Sequence, residues 1–150
     1  MATKDTNKGG FTDDEKAAMK DRAAEARREA KAAKGAKARE ADLQAVIDKI
    51  ESMEPADRKL ATKVHEIVTA TAPELNPKTW YGMPAYANAD GKIVCFFKDA
   101  AKFKSRYCTL GFEEAADLDE GSMWVTSYAL TAVGAAEEKT IRALVKKAAG

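Results

Sequence analysis

The stretch that most constrains the fold is the heptapeptide 80–86, Trp-Tyr-Gly-Met-Pro-Ala-Tyr. It combines four large side chains with one glycine and one proline. Glycine lets another backbone or a ligand come close, and proline cannot donate a hydrogen bond to a central sheet ladder. The heptapeptide therefore predicts a kinked or edge strand. The segments before it have the pattern of helices, and those after it, to about residue 133, have the pattern of strands with a short acidic interruption. This order predicts an α+β fold.

The first 41 residues predict a disordered start followed by a charged, alanine-rich helix. Residues 1–10 are polar and end in two glycines, which is typical of disorder. Thr12 and Glu15 have the spacing of a capping box. Residues 16–34 are mostly alanine, lysine, arginine and glutamate, the strongest helix formers, and Gly35 is the predicted break. This extension precedes a predicted domain that spans residues 42–150.

Two amphipathic helices open that domain. Apolar residues recur at the helical period from about 42 to 53, and again from Pro55 to the residues before Pro73. A last helix is predicted over about 135–148. Such helices need an apolar surface to cover, and the predicted sheet supplies it.

The predicted strands are 79–81 continuing through 84–87, then 92–98, 103–110 and about 124–133. The tetrapeptide 88–91, Asn-Ala-Asp-Gly, has the chemistry of a hairpin turn between the first two strands. Residues 93–97, Ile-Val-Cys-Phe-Phe, are apolar at every position, which predicts a central strand buried on both faces.

The overall charge argues against a polyanionic partner for the whole protein, because 25 basic groups face 24 acidic ones. The basic arm within residues 16–39 could contact nucleic acid phosphates, although its interspersed acids and its lack of aromatic residues argue against this. No apolar run reaches the length of a membrane span, and the N-terminus lacks the apolar region of a signal peptide, so the expected compartment is the cytoplasm. Cys95 and Cys108 are expected to be buried reduced thiols.

The sequence predicts a binding protein more readily than an enzyme. His65 is the only histidine, and no serine lies in a nucleophile elbow. The chain also lacks a phosphate loop and a dinucleotide-binding fingerprint.

Two groups of residues are candidates for binding a small ligand. Aromatic and thioether side chains could line a pocket, and they could equally form the core that joins sheet and helices. In the segment 102–107, strict alternation places three cations on one strand face, which is either an anion-binding platform or a solvent-facing surface. The candidate ligand-binding residues are Trp80, Met83, Tyr86, Lys102, Lys104, Arg106, Trp124 and Tyr128.

The densest acidic run follows the predicted third strand. Several carboxylates close together suit a hard cation such as iron or magnesium. The simpler interpretation is a solvated turn whose charges offset the nearby lysines. The candidate metal ligands are Glu113, Glu114, Asp117, Asp119 and Glu120.

The heptapeptide 80–86, the strand 91–97 (Gly-Lys-Ile-Val-Cys-Phe-Phe) and the segment 102–107 (Lys-Phe-Lys-Ser-Arg-Tyr) together resemble the YdhG-like domain family. The family is largely of unknown function and includes a bacterial frataxin-like iron chaperone. The resemblance covers about residue 42 to the C-terminus. It implies helices packed on a small antiparallel sheet, and an intracellular binding protein that holds iron weakly through exposed carboxylates. The alternatives are a small-molecule or anion-binding module and, third, an accessory nucleic-acid binder that uses the basic arm.

Overall fold

The computed structural model describes residues 13–150, without the side chains of residues 14, 28, 29 and 31–33. The predicted disorder of residues 1–10 and the predicted cap at Thr12 lie outside this range. The chain divides into two compact units, Met1–Ala38 and Arg39–Gly150. In the first unit, the described residues form helix and are nearly all exposed.

The first helix, α1, is continuous over Asp13–Glu51. The prediction of a break at Gly35 and of a separate helix from residue 42 is therefore wrong. A glycine inside a helix costs only about 1 kcal/mol relative to alanine. The alanine, lysine and arginine residues on both sides offset that cost, so the helix passes through Gly35.

The other two helices agree with the sequence prediction. Helix α2 spans Pro55–Thr71, with Pro55 in its first turn, and it ends before Pro73. Helix α3 spans Ala135–Ala149. At its start, the Glu137 carboxylate accepts a hydrogen bond of 2.8 Å from the backbone N–H of Gly134. None of the helices in the described part of the chain is long and apolar enough to cross a membrane.

The sheet contains five strands, and all four strand pairs are antiparallel. The strands follow one another across the sheet in chain order, so β3 is central, as its apolar sequence predicts. Helices and a small antiparallel sheet together confirm the predicted α+β class. The strands are β1 Asn76–Trp80, β2 Met83–Ala87, β3 Ile93–Lys98, β4 Cys108–Phe112 and β5 Ser127–Leu130.

The heptapeptide forms a hairpin and not one kinked strand. Trp80 ends β1 and pairs with Met83, which begins β2. Between them Tyr81 and Gly82 both have positive φ, +50° and +74°. Two-residue hairpin loops of type I′ require positive φ at both positions, which glycine adopts freely and tyrosine does not.

The turn between β2 and β3 confirms the prediction for residues 88–91. The side-chain oxygen of Asn88 accepts hydrogen bonds of 3.0 Å from the backbone N–H groups of Asp90 and Lys92. Gly91 supplies the positive φ, +80°.

Residues 102–107 do not form the predicted strand. The N–H of Ser105 donates to the carbonyl of Ala100 at 2.9 Å, and the N–H of Lys104 donates to that of Ala101 at 3.2 Å, so the chain turns here. Strand β4 begins only at Cys108. The alternation of cations and aromatic residues therefore does not assign them to opposite faces of a strand. Strand β5 is likewise shorter than the predicted 124–133.

The two faces of the sheet differ in what they pack against within residues 39–150. Opposed residues of antiparallel strands project to the same face. One face carries Tyr86, Phe97 and Leu110, which join the core that also contains residues of α1, α2 and α3; we call it the helix face. The opposite, outer face carries Trp80, Met83, Ala85, Phe96 and Gly111. The helical part of the core comprises Val46, Ile50, Ala61, Val64, Ile67, Val68, Ile141, Val145 and Ala148.

Candidate functional site

Aromatic rings run across the outer face of the sheet. The ring centroids of Trp80 and Phe96 are 5.3 Å apart, and those of Trp80 and Tyr81 are 5.1 Å apart in an edge-to-face arrangement. Phe96 lies directly over Gly111 of β4, because a Cβ atom at Gly111 would overlap the far end of the Phe96 ring. Gly111 thus lets an aromatic ring lie flat against the sheet backbone.

Phe96 and Trp124 line one cleft of about 640 Å³ at the β4–β5 side of the outer face. Trp124 lies in the connection that leads to β5 and is 41% exposed. Glu113, Glu114 and Asp119 line the same cleft. Its walls therefore offer aromatic rings and negative charge together, and we call it the outer-face cleft. Its remaining lining residues are Phe112, Ala116, Thr126 and Ser127.

The predicted acidic run does not act as one cluster. Three of its five acidic residues line the outer-face cleft, whereas the carboxylate of Glu120 lies 3.4 Å from the ammonium group of Lys147 in α3. The backbone N–H of Asp117 donates to the carbonyl of Ala148, also in α3. Among the residues that the structure describes, no three histidine, cysteine, aspartate or glutamate side chains are close enough to hold a metal ion. Iron binding remains a prediction.

The predicted aromatic pocket residues are divided between the two faces. Trp80 and Met83 lie on the outer face, but Tyr86 is on the helix face and only 1% exposed. The Tyr86 hydroxyl is hydrogen-bonded to Nδ1 of His65 in α2 at 2.8 Å. Burial raises the pKa of Tyr86 and lowers that of His65, which favours the uncharged form of both groups. Tyr128 of β5 pairs with Leu110 of β4 and so lies on the helix face, whereas Trp124 belongs to the outer-face cleft.

The predicted cations lie in the connection between β3 and β4. Lys102, Lys104 and Arg106 are all exposed. The ammonium groups of Lys98 and Lys102 lie 4.9 and 5.3 Å from the centroid of the Phe103 ring. We call residues 98–107 the basic loop.

A second pair of rings and cations lies further along the basic loop. The guanidinium of Arg106 lies 5.2 Å from the centroid of the Tyr107 ring. These contacts have cation–π geometry, in which the ring face attracts the cation. The loop therefore presents aromatic rings and cations side by side.

The basic loop is linked to the β1–β2 hairpin and to α1. The Lys102 ammonium group lies 3.4 Å from the carbonyl oxygen of Gly82. The pKa of Lys49 in α1 is lowered by burial and then by its neighbour Lys102, while Asp99 acts in the opposite direction. Asp99 is 4% exposed, and its Oδ1 has no hydrogen-bond partner within the described residues. Positive charge is thus crowded at this end of the sheet.

A buried carboxylate fixes the basic loop to α2. Oδ2 of Asp57 accepts a hydrogen bond of 2.8 Å from the backbone N–H of Ala101, and Oδ1 lies 3.3 Å from Sγ of Cys108. Burial is the main cause that raises the pKa of Cys108, to about 11. Cys95 is also buried, which raises its pKa to about 12. Both cysteines are free thiols, as the sequence predicts.

Another cleft, of about 580 Å³, lies between α2 and the connection from β5 to α3. Its lining includes Leu60, Lys63, Val133 and Gly134, and none of the residues that the sequence singled out. Lys63 forms an ion pair of 2.9 Å with Glu138 of α3. The residues of this cleft tie two helices together, which is sufficient to explain them.

Sequence reasoning missed three residues of these surfaces. The sequence places Phe96 in a core strand, and only its alternation with Cys95 and Phe97 indicates that it lies on the outer face. Lys98 ends the same strand and shares the face of Phe96. Tyr81 gave no signal at all, because its exposure depends on a turn that its residue type does not favour.

Comparison of the chain with protein-family models, with curated proteins and with solved structures gives no match in any of the three. The resemblance to the YdhG-like family therefore remains a prediction that depends on the residues between 80 and 107.

Proposed function

We propose that this protein is a binding module for a cationic ligand, which it holds in the outer-face cleft. One observation carries the proposal: the acidic residues Glu113, Glu114 and Asp119 line the same cleft as Phe96 and Trp124. Ligand sites in proteins are typically apolar or aromatic clefts of a few hundred cubic ångströms with a few polar groups. Aromatic faces and carboxylates both attract positive charge.

Two kinds of cation suit this chemistry. Ferrous iron needs several ligands at once, so the side chains of the cleft would have to move together to hold it, and the YdhG-like resemblance favours it. An organic ammonium ion would use the carboxylates for its charge and the ring of Trp124 for its apolar part. Only the second ligand needs the aromatic wall, so the two can be separated by experiment.

The test is a calorimetric titration of the protein with ferrous iron, without oxygen, and separately with benzyltrimethylammonium. The variant Glu113→Gln/Glu114→Gln/Asp119→Asn removes the three cleft carboxylates. The matched control, Asp117→Asn/Glu120→Gln, removes two carboxylates of the same run that do not line the cleft. A third variant, Trp124→Leu, removes the aromatic wall.

Iron handling predicts iron binding that the triple variant abolishes and that Trp124→Leu leaves unchanged. An organic cation as ligand predicts binding that both variants weaken. In either case the control should bind as the parent protein does. If neither probe binds, or if the control loses as much affinity as the triple variant, the cleft is not the site.

A further inference from the structure

A second surface, at the other end of the outer face, combines aromatic rings with cations. From it we infer that the basic loop and the β1–β2 hairpin bind single-stranded nucleic acid. Single-strand binding proteins combine a cationic surface for the phosphates with exposed aromatic rings on which bases stack. Neither feature belongs to the cation-binding cleft, so this inference does not depend on the proposed function.

The first observation is the charge of the loop. Residues 98–107 carry four cations, Lys98, Lys102, Lys104 and Arg106, against one acid. That acid, Asp99, is buried and so presents little charge at the surface. A strand of phosphates would therefore meet mainly positive charge.

The second observation is the exposure of the rings beside these cations. Phe103 and Tyr107 are 37% and 36% exposed, and Tyr81 is 80% exposed. The contact of Lys102 with the carbonyl of Gly82 joins the hairpin that carries Tyr81 to the basic loop. The rings and the cations thus belong to two adjoining loops. This differs from the basic arm of residues 16–39, which has no aromatic residue.

The third observation is backbone strain in both loops. Tyr81 and Lys104 are the non-glycine residues with positive φ in the described chain, +50° and +53°. This conformation is unfavourable for a residue with a side chain such as tyrosine. Asparagine adopts it more readily, so a tyrosine at position 81 favours a role other than folding. An exposed stacking ring is such a role.

The strain gives a test that separates binding from structure. The variant Tyr81→Asn relieves the strain but also removes the edge-to-face contact of the ring with Trp80. The two effects oppose each other, so the urea midpoint should stay close to that of the parent. Its affinity for a fluorescein-labelled oligothymidylate of about 12 nucleotides should fall by at least about five-fold, because stacking of a single base contributes that much or more. Loss of affinity together with loss of stability would contradict the inference.

The charge of the loop is tested by the dependence of binding on salt. If all four cations contact phosphates, the slope of log K against log salt concentration is about −3 for a single strand. The variant Lys104→Gln/Arg106→Gln should make that slope shallower by about 1.4. The control Lys92→Gln/Lys139→Gln removes two exposed cations elsewhere and should leave the slope unchanged.

Three further results would overturn the inference. The first is no binding of the oligothymidylate by the full-length protein at about 50 mM salt. The second is equal binding of a duplex, which offers phosphates but no exposed base faces. The third is binding that both the Tyr81 and the Lys104/Arg106 variants leave unchanged, since the basic arm would then be the binding element.

Discussion

Removal of the Asp57 carboxylate should destabilise the domain, because this carboxylate fixes the basic loop to α2. Asp57 is 7% exposed and lies in the first turn of α2, yet it accepts a hydrogen bond from Ala101, 44 positions further along the chain. The carboxylate therefore joins the start of α2 to the loop that follows β3. The thiol of Cys108 lies against its second oxygen.

The magnitude follows from these contacts. A hydrogen bond to a charged group contributes about 1.5–3 kcal/mol, and a carboxylate in the first turn of a helix adds about 0.3–1 kcal/mol. Removal of the carboxylate also removes the cost of burying it, which favours the lower half of the sum. We expect Asp57→Ala to lower the free energy of unfolding by about 2–3 kcal/mol. Asp57→Asn keeps an oxygen acceptor for Ala101 and should lose about 1 kcal/mol.

Urea denaturation followed by circular dichroism measures both values. Thermal unfolding should show a fall in Tm of about 8–12 °C for Asp57→Ala. Hydrogen exchange at the Ala101 amide gives a local reading, because this amide should lose protection in Asp57→Ala and keep part of it in Asp57→Asn. Asp48→Ala, which removes an exposed carboxylate of α1, is the control and should change stability by less than about 0.5 kcal/mol. The reasoning is refuted if Asp57→Ala is as stable as that control, or if the Ala101 amide stays fully protected.

Three further predictions concern the core and the outer face. Burial lowers the pKa of His65, so the unfolded chain takes up a proton at a higher pH than the folded protein does. The free energy of unfolding should therefore fall as the pH drops below about 6.5 and level off below the folded-state pKa. Urea midpoints at several pH values measure this, and a His65→Gln variant with the same decline would show that another group is responsible. Burial raises the pKa of Cys95 to about 12 and that of Cys108 to about 11. Both thiols should therefore react with iodoacetamide at pH 8 at least about a hundred-fold more slowly in the native protein than in urea. Intact-mass spectrometry measures the labelling, and rapid native labelling of both would contradict their burial. Gly111→Ala forces the Phe96 ring off the sheet and should lower the free energy of unfolding by about 1–3 kcal/mol in urea denaturation. It should also shift the tryptophan fluorescence, because Phe96 contacts Trp80. Unchanged stability and fluorescence would mean that the ring has room to move.

The sequence by itself determined the elements whose signals are local. Pro55 and Pro73 bound α2 because proline suits a helix start and ends the preceding segment. Asn88 and Gly91 set the turn before β3, since their conformations are fixed by their own residue types. The apolar run of β3 predicted the central strand, because apolar side chains are best covered in the middle of a sheet. The outer face of β3 is covered only in part, since Phe96 lines a cleft.

Only the tertiary structure decided where the chain turns against its local preference. Tyr81 adopts a positive φ because the pairing of Trp80 with Met83 closes the hairpin, and tyrosine gives no sign of it. Residues 102–107 alternate like a strand, but their backbone bonds to Ala100 and Ala101 make a turn. Cross-strand pairing and burial of the core outweigh the small differences in local propensity at such positions.

The tertiary structure also decided which side chains meet. The pleat of the sheet puts Trp80 and Tyr86 on opposite faces, although the sequence grouped them in one pocket. The antiparallel pairing of β3, β4 and β5 brings Phe96 into one cleft with Asp119 and Trp124. Such contacts depend on strand register, which is set by burial over the whole sheet and cannot be derived from the spacing of residues in one segment.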